Sequence, residues 1–338
     1  MNPPVEIGLI LALTTQGLAI RSYETMRAVA REAERLGFHS LWLCDHFFTL
    51  PPGRGRRERI REVPSRAEAG GEAVAPPTQP LLEVWTALTA LSRDTQRIRL
   101  GPSVLAVGYR HPALLAKMAA TLDVISGGRF EMGIGAGWIE AEYKAYGYAF
   151  PSASARIAQM EEAVEIMKRM WTEPEPAFAG AHYRIERAYC DPPPVQKPHP
   201  PIWIGGEGPK VLGVAARHAD GFNARYWPPE RFAERAGELA AACRDAGRDP
   251  AALRASVMLL LIPERDPAEA EAERGNFPAT PDSGVIAGTP AACVERLRAY
   301  IAAGVRRILV SIPNVDQRPE RLRLAGEVIL PALRGAGR

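Results

Sequence analysis

The sequence is short of the features that would settle its chemistry at a glance. Only five of its 42 basic residues are lysine (positions 117, 144, 168, 197 and 210), and 39 acidic residues leave a net charge of +3. That balance, with no basic stripe along the chain, does not suggest a nucleic-acid binder. The arginine bias fits GC-rich coding better than a function. Cysteine is scarce, and Cys44, Cys190, Cys243 and Cys293 contain no C-x-x-C pair. Neither a zinc site nor a disulfide framework is readable, no metal is expected, and buried thiols in a reducing cytoplasm are the default. No apolar run approaches the roughly 20 residues of a membrane span. The start, Met1-Asn2-Pro3-Pro4 and a short apolar run, has neither the basic n-region nor the cleavage site of a secretory signal. A cytoplasmic protein that engages neither membrane nor nucleic acid is the expectation. The patterns G-x-x-x-x-G-K-S/T, H-E-x-x-H and G-x-S-x-G are missing. Their absence removes P-loop nucleotide chemistry, zincin-type hydrolysis and the serine nucleophile elbow.

What the sequence has is rhythm. With 46% hydrophobic and 24% charged residues, the composition is that of a globular protein. Its 338 residues suit two average domains or one α/β barrel of roughly 250 residues with insertions. Strand-like apolar runs at 5–11, 40–43, 98–104, 129–134, 202–204, 221–223, 257–262 and 307–312 alternate with helical stretches. The helices are expected at 23–36, 81–92, 113–125, 155–171, 210–218, 229–246, 290–303 and 319–333, the first with Ser22 as N-cap and Gly37 as its stop. The strands are almost continuously apolar, as strands covered on both faces are. Strict alternation implies a parallel sheet. Eight units favour a closed (β/α)8 TIM barrel over an open, doubly wound α/β sheet. Three stretches break the rhythm: 51–80, Gly/Pro-rich with Arg54, Arg56, Arg57, Arg59 and Arg61; 174–201, with two hairpin-like pieces and Pro192-Pro193-Pro194; and 264–288. These read as insertions in a single domain spanning 1–338.

In a barrel, chemistry sits at the C-terminal ends of the strands. The second strand ends in Asp45-His46, a carboxylate beside an imidazole, suited to proton transfer or charge stabilisation near neutral pH. A capping Asp and an exposed His is the plainer alternative. The third strand runs through Gly101-Pro102-Ser103-Val104-Leu105, where Gly and Pro permit a bulge or a turn. The fourth ends in Gly133-Ile134-Gly135-Ala136-Gly137-Trp138, which departs from the dinucleotide-binding G-x-G-x-x-G at Trp138. These glycines serve either close approach to a ligand or tight packing. The next strand enters Gly205-Gly206-Glu207-Gly208 and then a helix, a natural anion site held by backbone N–H groups.

The order of these motifs resembles the luciferase-like monooxygenase superfamily. The resemblance rests on Ser40-Leu41-Trp42 with Asp45-His46, on 97–105, on Tyr109-Arg110-His111-Pro112-Ala113, on 122–138, and on 201–206 with Ala219-Asp220-Gly221-Phe222-Asn223. It covers nearly the whole chain. The Asp-His pair is most similar to the branch that uses the deazaflavin coenzyme F-420. The resemblance implies a TIM barrel with insertions, a homodimer, and an oxidoreductase that moves a hydride between the 8-hydroxy-5-deazaflavin and a small organic substrate. It implies that Asp45 and His46 lie beside the deazaflavin ring as catalytic residues. Ser103-Val104 would form a non-prolyl cis bulge behind that ring. Ala136, Gly137, Gly205, Gly206 and Glu207 would approach the coenzyme. The sugar-phosphate dehydrogenases of this branch carry a catalytic Glu where this chain has Trp138, so sugar-phosphate oxidation is not carried over and an apolar substrate wall is expected instead. The Arg-rich insertion 51–80 reads first as a solvated basic loop overhanging the active-site face; the alternative that the resemblance offers is that its arginines meet the coenzyme's polyanionic tail. Two rivals stay open: an FMN-dependent monooxygenase on the same fold, and a non-catalytic flavin- or deazaflavin-binding protein.

Overall fold

The computed structural model describes residues 5–11, 22–48, 81–277 and 284–334. In chain order its strands are β1 (Glu6–Leu11), β2 (Ser40–Leu43), β3 (Arg99–Pro102), β4 (Leu105–Ala106), β5 (Met132–Gly135) and β6 (Phe178–Ala179). They continue as β7 (Arg184–Ile185), β8 (Ile202–Gly205), β9 (Gly221–Arg225), β10 (Arg254–Pro263), β11 (Val285–Gly288) and β12 (Arg307–Ser311). The helices are α1 (Tyr23–Arg35), α2 (Val84–Asp94), α3 (Pro112–Ser126), α4 (Glu140–Ala145), α5 (Ala153–Thr172) and α6 (Pro209–His218). After them come α7 (Pro229–Asp245), α8 (Pro267–Arg274), α9 (Pro290–Ala302), α10 (Pro319–Leu324) and α11 (Leu330–Arg334).

The strands pair in parallel in the order β3-β2-β1-β12-β10-β9-β8-β5-β4. β3 and β4 are two pieces of one barrel strand, and a bridge from Leu100 to Phe130 ties β3 to the residues entering β5. The ring therefore closes on eight barrel strands, the expected TIM barrel. The expected third strand, 98–104, is interrupted because Pro102 has no N–H for the ladder and the Ser103-Val104 peptide is cis. Ser103 donates its N–H to Leu43 O instead, at 2.7 Å.

Two apolar layers hold the barrel. Outside the ring, helices and strands share one cluster that includes Leu9, Leu41, Leu100, Ile134, Ile204, Val257 and Ile308. Inside it, Ile10, Trp42, Trp203, Met258, Leu260 and Leu309 pack together. Trp42 and Trp203 meet edge to face, centroids 6.3 Å apart. Two glycines make room for them: a Cβ at Gly101 would stand 2.6 Å from Trp42, and one at Gly221 would stand 2.2 Å from Trp203. Gly101 thus serves interior packing rather than a turn. Ser22 caps α1 through the Thr25 N–H, and Gly37 follows the helix with φ +82°, as expected.

The insertions differ from expectation in detail. Residues 51–80 lie outside the described residues. Within 174–201 one antiparallel ribbon forms, β6 with β7, rather than two hairpins. Within 264–288, α8 leads to β11, which adds to the far end of β10 beside the ring. The last expected helix, 319–333, is three consecutive helical segments with a π turn at Ala325–Ile329. Among the described residues no helix is long and apolar enough to cross a membrane.

Candidate active site

A cavity of about 350 Å³ opens at the C-terminal ends of the strands. Ten of the residues singled out from the sequence line it: Asp45, His46, Ser103, Val104, Ala136, Gly137, Trp138, Gly205, Gly206 and Glu207. They follow the C-terminal ends of β2, β3, β5 and β8, which the closed ring brings to one face.

Asp45 and His46 part company within the cavity. Asp45 is buried and faces Arg110, accepting from Nη1 at 2.8 Å and Nη2 at 3.1 Å. It also accepts the Ala106 N–H at 3.0 Å. Its carboxylate is thereby committed to holding the chain after β4. His46 pairs instead with Glu142, Nδ1 to Oε2 at 2.9 Å. Glu142 lies on α4 with its side chain 1% exposed, and accepts two further hydrogen bonds, from the Phe47 N–H at 2.9 Å and the Tyr109 hydroxyl at 2.9 Å. A carboxylate can only accept, so His46 donates Nδ1–H to it, and in a neutral imidazole Nε2 is then the acceptor facing the cavity. Burial, and then the neighbouring Glu142 charge, push the Tyr109 phenol far above its usual range, so it stays a donor. The Cys44 thiol, pushed up to about 12 by burial, is no nucleophile.

The third-strand bulge forms the floor. Val104 projects against Gly135 and Gly205, where a Cβ would stand 2.7 Å and 3.1 Å from its methyls. Asn223 on β9 donates to Ser103 Oγ at 3.2 Å and accepts from Ser256 at 2.9 Å. Gly137 has φ +72°, and a Cβ there would fall 2.1 Å from the Tyr143 hydroxyl, so glycine is required for both conformation and space. Trp138 covers the edge of His46, centroids 6.3 Å apart and rings at 89°.

The opposite end is built for an anion. β8 runs out through Gly205 to Gly208, which starts α6 without a side-chain cap. The first turn of α5 stands alongside, tied to α6 by Lys210 Nζ to Ser154 Oγ at 2.9 Å. Arg156, 8% exposed on α5, lines the cavity. Its Nε has no hydrogen-bond partner among the described residues. Two helix starts and a buried guanidinium make a positive end. Among the described residues no cluster of three or more His, Cys, Asp and Glu is placed to hold a metal.

Sequence reasoning missed Glu142, Arg156, Asn223 and Arg225. The one available signal for Glu142 was the acidic pair Glu140 and Glu142 just after the fourth-strand glycines.

The family model described as luciferase-like monooxygenase matches residues 8–281. An F-420-dependent glucose-6-phosphate dehydrogenase of Nakamurella multipartita is 30% identical over 337 residues, covering 90% of this chain and 91% of that protein. A phthiodiolone/phenolphthiodiolone dimycocerosates ketoreductase of Mycobacterium sp. (strain JLS) is 30% identical over 232 residues, 66% of this chain and 57% of that protein. A solved F-420-dependent secondary alcohol dehydrogenase, in complex with an F-420-acetone adduct, has the same fold at TM-score 0.78 and 19% identity, over 98% of this chain and 100% of that one. With the barrel, the strand-end cavity and a family match across most of its length, the chain belongs to the luciferase-like monooxygenase family.

Proposed function

We propose that the protein is an oxidoreductase that uses coenzyme F-420 to move a hydride to or from a small organic substrate, with His46 handling the accompanying proton. One observation carries the reading: an imidazole on the cavity wall is fixed at Nδ1 by a buried carboxylate, which leaves Nε2 to exchange a proton. The relatives named as F-420-dependent support the coenzyme. The cavity suits it. Val104 offers an apolar floor to a flat ring system, and the Gly205–Gly208 turn with Arg156 suits a ribityl phosphate.

Bound there, the deazaflavin supplies a two-electron hydride carrier. In the oxidising direction Nε2 of His46 takes the substrate's hydroxyl proton, and the imidazolium so formed lies against Glu142. In the reducing direction the same nitrogen returns the proton. Trp138 shields the edge of the imidazole from water. Asp45, held by Arg110, positions the β2 end from which His46 projects.

The finer parts of the reading are a homodimer, a cytoplasmic location and one barrel domain for the whole chain. Exposed apolar side chains on and beside α3, namely Leu114, Val124, Tyr189 and Val195, support self-association. Titration followed by absorbance tests the coenzyme. F-420 should bind at least tenfold tighter than FMN, a gap of ~1.4 kcal/mol; equal or inverted affinities overturn the proposal in favour of the FMN-dependent alternative.

A further inference from the structure

We infer that the substrate of this site carries a carboxylate on an apolar, planar body, and that Arg225 receives it. The inference rests on the oxidoreductase reading above and names its substrate class.

Period two along β9 places Asn223 and Arg225 on the cavity side, Asn223 against the Ser103 bulge and Arg225 one layer nearer the mouth. The Arg225 guanidinium lies 5.4 Å from the centroid of Trp138 and 5.2 Å from that of Tyr226. Two aromatic rings thus hold it without neutralising it. The next residue takes a backbone that bulky side chains rarely adopt. Tyr226 has φ +56° and is kept there by its N–H to Met258 O at 3.0 Å. Such an outlier beside a cavity points to a shape selected for function.

The charge balance of the cavity gives the ligand its sign. Asp45 is matched by Arg110, and Glu142 is surrounded by His46, Tyr109 and Phe47 N–H. Glu207 lines the cavity too, but makes no ion pair with Arg225. Arg225 has no carboxylate partner among the described residues. A partly desolvated guanidinium has two N–H groups in a fork that fits one carboxylate. Trp138 touches both His46 and Arg225. A substrate lying along its ring would put its reacting carbon near His46 and its acid at Arg225, with the apolar body between them.

The test uses benzoate and its neutral isostere benzamide as probes, read by tryptophan fluorescence with the coenzyme bound. Benzoate should bind at least tenfold tighter than benzamide. Arg225→Gln should abolish that preference, and Arg225→Lys should keep part of it. F-420 affinity should stay within a few-fold in both variants, so a failure to bind coenzyme, which would sink the oxidoreductase reading, is seen separately. Equal binding of the two probes to the unaltered protein overturns the inference, and so does a preference that survives Arg225→Gln.

Discussion

Asp45 and His46 are adjacent in the sequence and separate in their hydrogen bonding. Both line the cavity beyond the end of β2, yet a dipeptide read as one functional pair is split between two partners. Arg110 holds one and Glu142 the other. The sequence shows that the strand end is charged and aromatic, but Glu142 lies 96 residues from His46, and that pairing is not readable without the fold. The difference is testable. His46→Ala should lower turnover by roughly 10²-fold, with coenzyme affinity within a few-fold. Glu142→Gln puts an NH₂ donor where three donors converge. It should lower turnover about tenfold and cost about 1–3 kcal/mol of stability, the usual penalty for a buried polar mismatch. Asp45→Asn should cost stability in the same range while turnover falls far less than in His46→Ala. If Asp45→Asn abolishes turnover in a folded protein, Asp45 belongs to the chemistry after all. Urea midpoints and steady-state rates on the three variants separate these outcomes.

At the scale of elements, strand positions were legible because continuous apolar runs flanked by Gly and Pro leave few alternatives. The observed strands agree with the expected ones to within a few residues at each end. What escaped was short. α4 has six residues and β11 four, too few for a period to register, while β6 and β7, two each, fall in the stretch read as hairpin-like. The break between β3 and β4 was anticipated through the family resemblance, while the local sequence allowed a bulge or a plain turn equally. The anion end was half legible. Gly205 to Gly208 before a helix signalled it, but the contribution of α5 did not, since Arg156 sits in an ordinary amphipathic helix. Its guanidinium also stacks over Phe150, 3.8 Å from the ring centroid, so packing is the competing role. Arg156→Gln should weaken F-420 binding about tenfold, the loss of one charge-assisted contact. It should leave the dephosphorylated ribityl deazaflavin bound as before. If both ligands weaken alike, Arg156 supports the fold of the cavity rather than the phosphate.

For the molecule as a whole, the two ends of the barrel divide the work. The cavity occupies the C-terminal end, and the N-terminal end is closed by a buried ionic plug, which serves stability rather than chemistry. Glu131 accepts from Arg307, from Arg99 and, at 2.6 Å, from Trp203 Nε1. Arg307 also reaches Glu6 at 2.6 Å, and its guanidinium lies 4.3 Å from the Trp203 ring centroid. His39 stands beside Glu6 at 3.3 Å. These residues come from the starts of different strands, and Arg307 lies 176 residues from Glu131, so their meeting could not be read until the ring was closed. Burial alone would raise the Glu131 carboxyl, but Arg307 and Arg99 outweigh it and hold it at about 2. A carboxyl depressed on folding stabilises the fold above its ordinary value of 4.5 and loses that contribution as pH falls towards about 2. The shift corresponds to something on the order of 3 kcal/mol. His39 is lowered by burial, so it resists protonation in the fold and begins to cost stability once pH drops below its ordinary 6.5. Acid destabilisation should therefore start mildly below pH ~6.5 with His39 and steepen below ~4.5 with Glu131. Glu131→Gln should lower stability at pH 7 by on the order of 3 kcal/mol, because it leaves the buried Arg307 with Glu6 as its one carboxylate partner. Its difference from the unaltered protein should stay level from pH 7 to about 5 and narrow as pH falls below 4.5 towards about 2, since there the unfolded chain of the unaltered protein takes up a proton that the folded carboxylate still refuses, and the Gln variant has no such group. Thermal melts across that range measure the gap, and a gap that stays constant would show that Glu131 acts through shape and hydrogen bonding rather than through its charge.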